Sequence, residues 1–465
     1  MKRSAVLLSI QFVLLAAFVI SADLAVQAQK PKDIRASQAR LEQGNRAFNQ
    51  RNFKEAIEKY AEAIALNTRN TAAHYWKGRA HSFQEEHELA LMELGTALEQ
   101  GYQKPLDIYL LRWRIYYAEK DYAAAQKDVD AALAIDPENF DLLVAQGDMN
   151  FVNKRYPEAL DAYQRAVAKQ PNNAELYLNI AKIHYFTGNP QGQGDAAQEA
   201  INKRTMSLGE AYLLLGDALR TQRRFPEATT ALQSALSANP NSLDTYESLA
   251  EVYRAQNKYD DAITTLRRAL PVFDDDGRIY TNLAWYYSLA NRHEEAADAA
   301  KAGIKLSPNE YLAYTNLCRA YNDLKRPEMA IRECNNALRL QPDDGETLYY
   351  LGRASELMNK SDEAARYYRR AVPGLEKATK TSPGNSDYFY LLGNAYYSDN
   401  HVKKAIAAYV RSLELTPAFA RARFNLGLAY VADNNKSAAM QQYNALAPLD
   451  GALAALLKTE IDAMR

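Results

Sequence analysis

A spacing of 34 residues constrains this chain more than any other feature of it. Gly44, Ala56 and Ala63 stand 12 and 7 residues apart, and Gly78, Ala90 and Ala97 repeat that spacing 34 residues later. Gly147, Ala159, Ala166 and Pro171 follow it, as do Gly216, Ala228, Ala235 and Pro240. Gly352, Ala364 and Ala371 match again, and so do Gly393 and Ala405. With the first small residue set as position 8, twelve units begin at residues 37, 71, 106, 140, 174, 209, 243, 277, 311, 345, 386 and 420. Position 20 is Ala in eleven of the twelve, Gln193 being the exception, and position 27 is Ala in nine. Pro holds position 32 in seven, counting Pro383, which an insertion displaces. A period of this length signals stacked supersecondary units. The 465 residues therefore count repeats, not separate cores.

Each unit reads as two helices. In "NLGLAYVADNNKSAAMQQY", Leu426, Ala429 and Tyr430 mark one face of the first helix, and Ala439 and Tyr443 mark the second. The spacings i, i+3 and i+4 are those of one helix face. Small residues at positions 8, 20 and 27 let two backbones approach, and Pro at 32 stops the second helix. This pattern resembles the tetratricopeptide repeat family. Tyr60, Tyr163, Tyr368, Tyr409 and Tyr443 take its aromatic position 24, and the match covers nearly all of the chain after the N-terminus. The resemblance, to an exported bacterial-type member, implies an all-α fold. That fold is a right-handed solenoid of about twelve antiparallel helix pairs with first helices lining a concave groove. It also implies a non-enzymatic binding scaffold. The expected organisation is a signal peptide (1–28), a linker (29–36), repeats 1–5 (37–207), repeats 6–12 (209–446, with seven extra residues near 372–385) and a capping helix (447–465).

Three units depart from the pattern. Trp113 holds position 8 of the third, where it either opens the helix pair or fills space beside Ala125 and Ala132. In the fifth, "GNPQGQGDAA" (188–197) reads as a lengthened, mobile turn with a shortened second helix, and as a hinge between two halves. It lacks the strand and the Lys-Ser/Thr pair of a phosphate loop. In the tenth, seven residues are two helical turns, which a helix absorbs without rotating its apolar face. Pro373-Gly374 offers the alternative of a break.

The N-terminus carries Lys2 and Arg3, an apolar run from Ala5 to Ile20, and Val26-Gln27-Ala28 before Gln29. That is the layout of a cleaved secretory signal, and the run is short of the roughly 20 residues that span a bilayer. The expectation is export, to the periplasm or beyond, with an uncleaved N-terminal anchor as the alternative.

With 56 Lys+Arg against 57 Asp+Glu, the charge balance argues against a nucleic-acid partner. The six histidines form no HExxH, and there is no GxSxG or Cys/His nucleophile pair. No catalytic residue, cofactor or metal is expected. Cys318 and Cys334 hold positions 8 and 24 of one unit, on facing sides of its helices. An exported chain would join them in a disulfide. The alternative is two buried thiols.

Positions 2, 5, 9 and 12 of the first helices should face the groove. Acids at position 2 (Asp107, Asp141, Glu175, Glu210 and Asp244) read as helix-dipole partners first and as a ladder for a basic ligand second. Position 9 supplies Arg79, Arg114, Lys182, Trp285, Arg319, Arg353 and Asn394. Aromatics interleave: Tyr75, Tyr117, Tyr185, Tyr349, Tyr390 and Tyr397. Tyr and Arg dominate binding hot spots, so a protein or peptide ligand is expected. A component of polysaccharide synthesis or secretion is the second reading. The 32 tyrosines divide into packing residues such as Tyr163 and groove residues such as Tyr75, Tyr349 and Tyr390, which are expected to have no packing role.

Overall fold

The computed structural model describes residues 30–464. Among them are 25 α-helices and no strand. The expected signal segment, residues 1–28, lies outside the described residues, and no described helix is long and apolar enough to cross a membrane. The helices alternate between first and second members of twelve pairs: α1 (Pro31–Asn49), α2 (Phe53–Leu66), α3 (Thr71–Phe83), α4 (His87–Glu99), α5 (Pro105–Ala118), α6 (Tyr122–Ile135), α7 (Phe140–Val152) and α8 (Tyr156–Lys169). There follow α9 (Ala174–Phe186), α10 (Pro190–Asn202), α11 (Leu208–Thr221), α12 (Phe225–Ala238), α13 (Leu243–Ala255), α14 (Tyr259–Ala269), α15 (Gly277–Leu289) and α16 (His293–Leu306). The rest are α17 (Tyr311–Asp323), α18 (Pro327–Leu340), α19 (Gly345–Leu357), α20 (Ser361–Thr381), α21 (Ser386–Ser398), α22 (Val402–Leu415), α23 (Ala420–Ala432), α24 (Lys436–Leu446) and the capping α25 (Gly451–Asp462). Two compact units divide within α9, the first ending at Ile183 and the second starting at His184.

One backbone device turns every pair. Position 15 has positive φ in all twelve repeats, from Arg51 (60°) through Gly188 (69°) to Asn434 (54°). Only one of the twelve is glycine, although a side chain in this region is disfavoured; Asn, which tolerates it best, appears five times, from Asn257 to Asn434. The residue after it donates its N–H back to a carbonyl five residues earlier, as Asn52 does to Ala47 at 2.9 Å. This closes the first helix and aims the second back along it.

Positions 8 and 24 make the close helix contact. A Cβ on Gly44, Gly147, Gly352 or Gly393 would lie 2.5–2.7 Å from a ring carbon of Tyr60, Tyr163, Tyr368 or Tyr409. The rings lie on the glycines. Where position 24 is Leu94 or Leu232, it sits on Gly78 or Gly216 in the same way. Cys318 and Cys334 occupy this pair of positions in the ninth repeat and are joined, with Cα atoms 5.3 Å apart. In the last repeat Leu457 of α25 covers Gly427, so the cap supplies the contact from outside the repeat. Trp113 is partly buried against the cluster of Ala125, Val129, Ala132, Leu142, Ala145 and Met149, which accommodates the large ring at a small-residue position. In the second unit a continuous buried cluster runs from Leu219 to Ala429.

Three expectations are corrected. Residues 31–36, read as linker, belong to α1, where Pro31 at N1 starts the helix early. The fifth repeat has no shortened helix: α10 has 13 residues, starting at Pro190 under the Asn189 cap. The final segment turns at 447–450 and becomes helical only from Gly451. In the tenth repeat α20 runs 21 residues through Pro373. Gly345 and Gly374 let α19 start against it, because a Cβ at Gly345 would sit 2.4 Å from the Leu375 nitrogen.

Candidate binding surfaces

In the first unit, aromatic rings gather at the ends of α1 and α3. Phe53 and Phe83 stack at 5.0 Å with planes 4° apart, and Phe48 stands edge-on to both and to Trp76. Arg79 lies 5.4 Å over Phe48 and 4.9 Å over Trp76. Phe83 is 55% exposed. A guanidinium held over two rings beside an exposed ring presents both cation and apolar area to solvent. Sequence reasoning found Arg79 and missed the phenylalanines. They flank the turns in "FNQRNF" and "HSF", where a ring is not needed for pair packing, and that was the available signal.

The remaining expected residues of this unit divide. Tyr75 is buried and stacks on Tyr102 at 4.7 Å, and burial pushes its hydroxyl pKa up. It is a packing residue, contrary to expectation. Arg114 is exposed, 3.7 Å from Asp141 of the next repeat. Tyr117 is half-buried, edge-on to Trp113 and Tyr122. Lys182 is partly exposed.

In the second unit, the expected groove residues bond to one another. Arg319, 7% exposed, pairs with Glu346 and covers the Tyr350 ring at 4.9 Å. Arg353 faces Asp323 at 3.4 Å. Tyr349, 8% exposed, accepts from Asn394 Nδ2 at 3.2 Å. Asn394 Oδ1 accepts from Tyr409 at 2.8 Å and from Asn425 at 2.7 Å. Tyr390 packs on Phe419 at 4.9 Å. Trp285 stacks on Tyr286, with Arg254 5.3 Å above it. Tyr349 and Asn394 are therefore structural, and their assignment as free groove contacts is corrected. Position 9 explains part of this. Asn45, Asp148 and Asn394 at that position each accept from the position-24 tyrosine of their own repeat. The hydroxyl of a ring lying on position 8 reaches its neighbour at 9. Tyr185 and Tyr397 remain substantially exposed, at 49% and 37%.

A small cavity of about 50 Å³ sits among Arg319, Arg353, Asp387, Tyr390 and Arg421. Burial raises the pKa of Asp387, against the pull of Arg254 and Arg319. Burial likewise raises that of Glu346, opposed by Arg319. Beside α20 lies a larger hollow of about 620 Å³, lined by Tyr311 and Tyr388, by Asp344 and Glu346, and by Arg370 and Lys377. Burial lifts the Tyr311 hydroxyl to about 12, with Asp344 and Glu346 adding to the shift. Among the described residues no three His, Cys, Asp or Glu side chains converge as metal ligands would.

A family model described as tetratricopeptide repeat matches residues 41–104, 110–174, 155–207, 191–242 and 315–386. A second of that description matches 241–309, and one described as TPR repeat matches 393–434. The chain is 26% identical over 201 residues to the DnaJ homolog subfamily C member 7 homolog of Schizosaccharomyces pombe, covering 42% of this chain and 40% of that protein. It is 22% identical over 240 residues to the Hsp70-Hsp90 organizing protein of Triticum aestivum, covering 43% and 41%. The chain thus spans about two fifths of the length of these curated relatives. Among solved structures, yeast Tom70 aligns over 92% of this chain and 96% of its own at 14% identity, with a TM-score of 0.43. MamA aligns over 37% and 94% at 26% identity, with a TM-score of 0.32.

Proposed function

The chain belongs to the tetratricopeptide repeat family, and from that premise we propose that it is a non-enzymatic scaffold that holds a protein or peptide partner outside the cytoplasm. The observation that carries the reading is the patch of Phe48, Phe53, Trp76, Arg79 and Phe83 in the first unit, with Phe83 55% exposed. Trp and Arg are hot-spot residue types, and rings already held by neighbouring rings lose little freedom on binding. A relative named as an Hsp70-Hsp90 organizing protein is consistent with a scaffold. The basic, apolar and small-residue order of residues 1–28 supports export.

A photo-crosslinking residue in place of Phe83, in cells that express the chain natively, tests this. A discrete crosslinked species in the envelope fraction, lost when Arg79→Ala and Phe48→Ala are added, is the expected result. A smear unchanged by those substitutions would refute it. The hollow beside α20 favours the polysaccharide reading as second: two tyrosines and groups of both charge signs suit stacking and hydrogen bonding to a sugar. Glycan-array binding abolished by Tyr388→Ala would move the assignment there.

A further inference from the structure

The second unit touches itself across large sequence distances. Arg223, Asn257 and Asn291 hold the left-handed position 15 of repeats 6, 7 and 8. Arg223 donates to the carbonyls of Glu414 and Leu415, and Asn257 donates to the carbonyl of Ala418 at 3.3 Å. Asn291 accepts from Arg421. Three successive turns thus reach one short segment, the junction of repeats 11 and 12, at separations of 130 to 192 residues. Deeper in, Arg254 bridges Glu251 at 3.0 Å and Asp387 at 3.1 Å. Closely packed helix pairs lie only one or two places apart in the chain. The long-range contacts are therefore side chains reaching across a seam, not a packed interface.

We propose that this seam is a latch that closes the second unit over its own inner surface, and that its opening uncovers Trp285, Arg353 and Tyr390 for a partner. The residues behind it already satisfy one another, as Arg319 does with Glu346 and Tyr349 with Asn394. The closed form thus keeps the inner face paired without a ligand. The helices on either side are held by the continuous apolar cluster, which opening would leave intact. The turn contacts of the seam are polar and exposed, the kind that contribute little and are screened by salt, whereas Arg254 and Asp387 beneath them are each 13% exposed. The idea goes beyond the scaffold reading and rests on it only for what the opened surface is for.

The test uses the full chain with spin labels at Lys258→Cys and Ala418→Cys; both native cysteines are paired. Seam variants combine Arg223→Gly, Asn257→Gly and Asp387→Asn. The first two place glycine where the backbone favours it, and in the third Arg254 keeps Glu251, so folding is not threatened. The parent should give one short, narrow distance. The triple variant should give a longer and broader one, and hydroxyl-radical oxidation of Trp285 and Tyr390 should rise several-fold. Equal distances in parent and variant, or a long distance in the parent, would overturn the latch. A longer distance without faster oxidation would overturn its role as a gate. Neither readout needs a partner, so the outcome is separate from that of the crosslinking experiment.

Discussion

Replacing Gly393 by Ala puts the ring-on-glycine contact to a direct test. The added Cβ would stand 2.5 Å from both Cδ1 and Cε1 of Tyr409, where carbons prefer about 3.5–4.0 Å. The ring, 1% exposed, would have to move by about 1 Å, at an overpacking cost of about 1–3 kcal/mol. Helix propensity returns about 1 kcal/mol for Gly→Ala. The expected net loss is about 0–2 kcal/mol. Tyr409→Leu alone removes ring volume and a hydroxyl, at about 1–3 kcal/mol. Asn394 keeps its bond from Asn425 at 2.7 Å, so no acceptor is orphaned. The double variant reproduces the pair Ala250 and Leu266, both 0% exposed in the seventh repeat. It should recover about 1–2 kcal/mol relative to the sum of the single changes. Repeat arrays unfold unit by unit when coupling is weak. Urea unfolding followed by far-UV circular dichroism should therefore be paired with amide exchange in α21 and α22. A stabilising Gly393→Ala, or strict additivity in the double variant, would refute the reasoning.

Further outcomes follow from other contacts. The Cys318–Cys334 bond spans 16 residues, and replacing both by Ala should lower stability by about 3 kcal/mol through loop entropy. Packing should survive, as it does at Ala284 and Ala300; labelling of both thiols in unfolded, unreduced wild type would sink the claim. Burial raises Asp128 from 3.8 to about 6 despite Arg112. A raised carboxylate stabilises the protonated fold, so its contribution is present below pH 3.8 and lost as pH rises through about 6. That amounts to about 3 kcal/mol at most, and Asp128→Asn should flatten this part of the pH–stability profile in melts at pH values on either side of the window. Glu93 behaves oppositely. Burial alone would raise it, but hydrogen bonds from His74 and Lys77 hold it below 4.5. Its stabilisation should fade as pH falls below that value, less so in Glu93→Gln. Arg79→Ala should leave the melting temperature within a few degrees of wild type while weakening partner capture, because the guanidinium rests on rings rather than in the core.

Most of the fold was legible because it is local. Position 20 is Ala in eleven of the twelve pairs, and the left-handed turn follows one helix length after position 1 in all twelve repeats. The candidate site was less legible. Tyr349 and Tyr397 both lie on first helices and looked alike in sequence, yet one is 8% exposed and the other 37%. The aromatic patch at Phe48, Phe53 and Phe83 was overlooked because its members come from helix ends, outside the face positions that periodicity reads.

The sequence by itself determined the twelve helix pairs, the small positions 8, 20 and 27 that let them approach, and the family. Each of these is settled within about 34 residues, where spacing and side-chain volume suffice. Tertiary structure alone decided that Arg254 meets Asp387 and that the second unit's inner residues are already paired. Small rotations between successive repeats accumulate over more than a hundred residues before those side chains meet. No local pattern carries their sum.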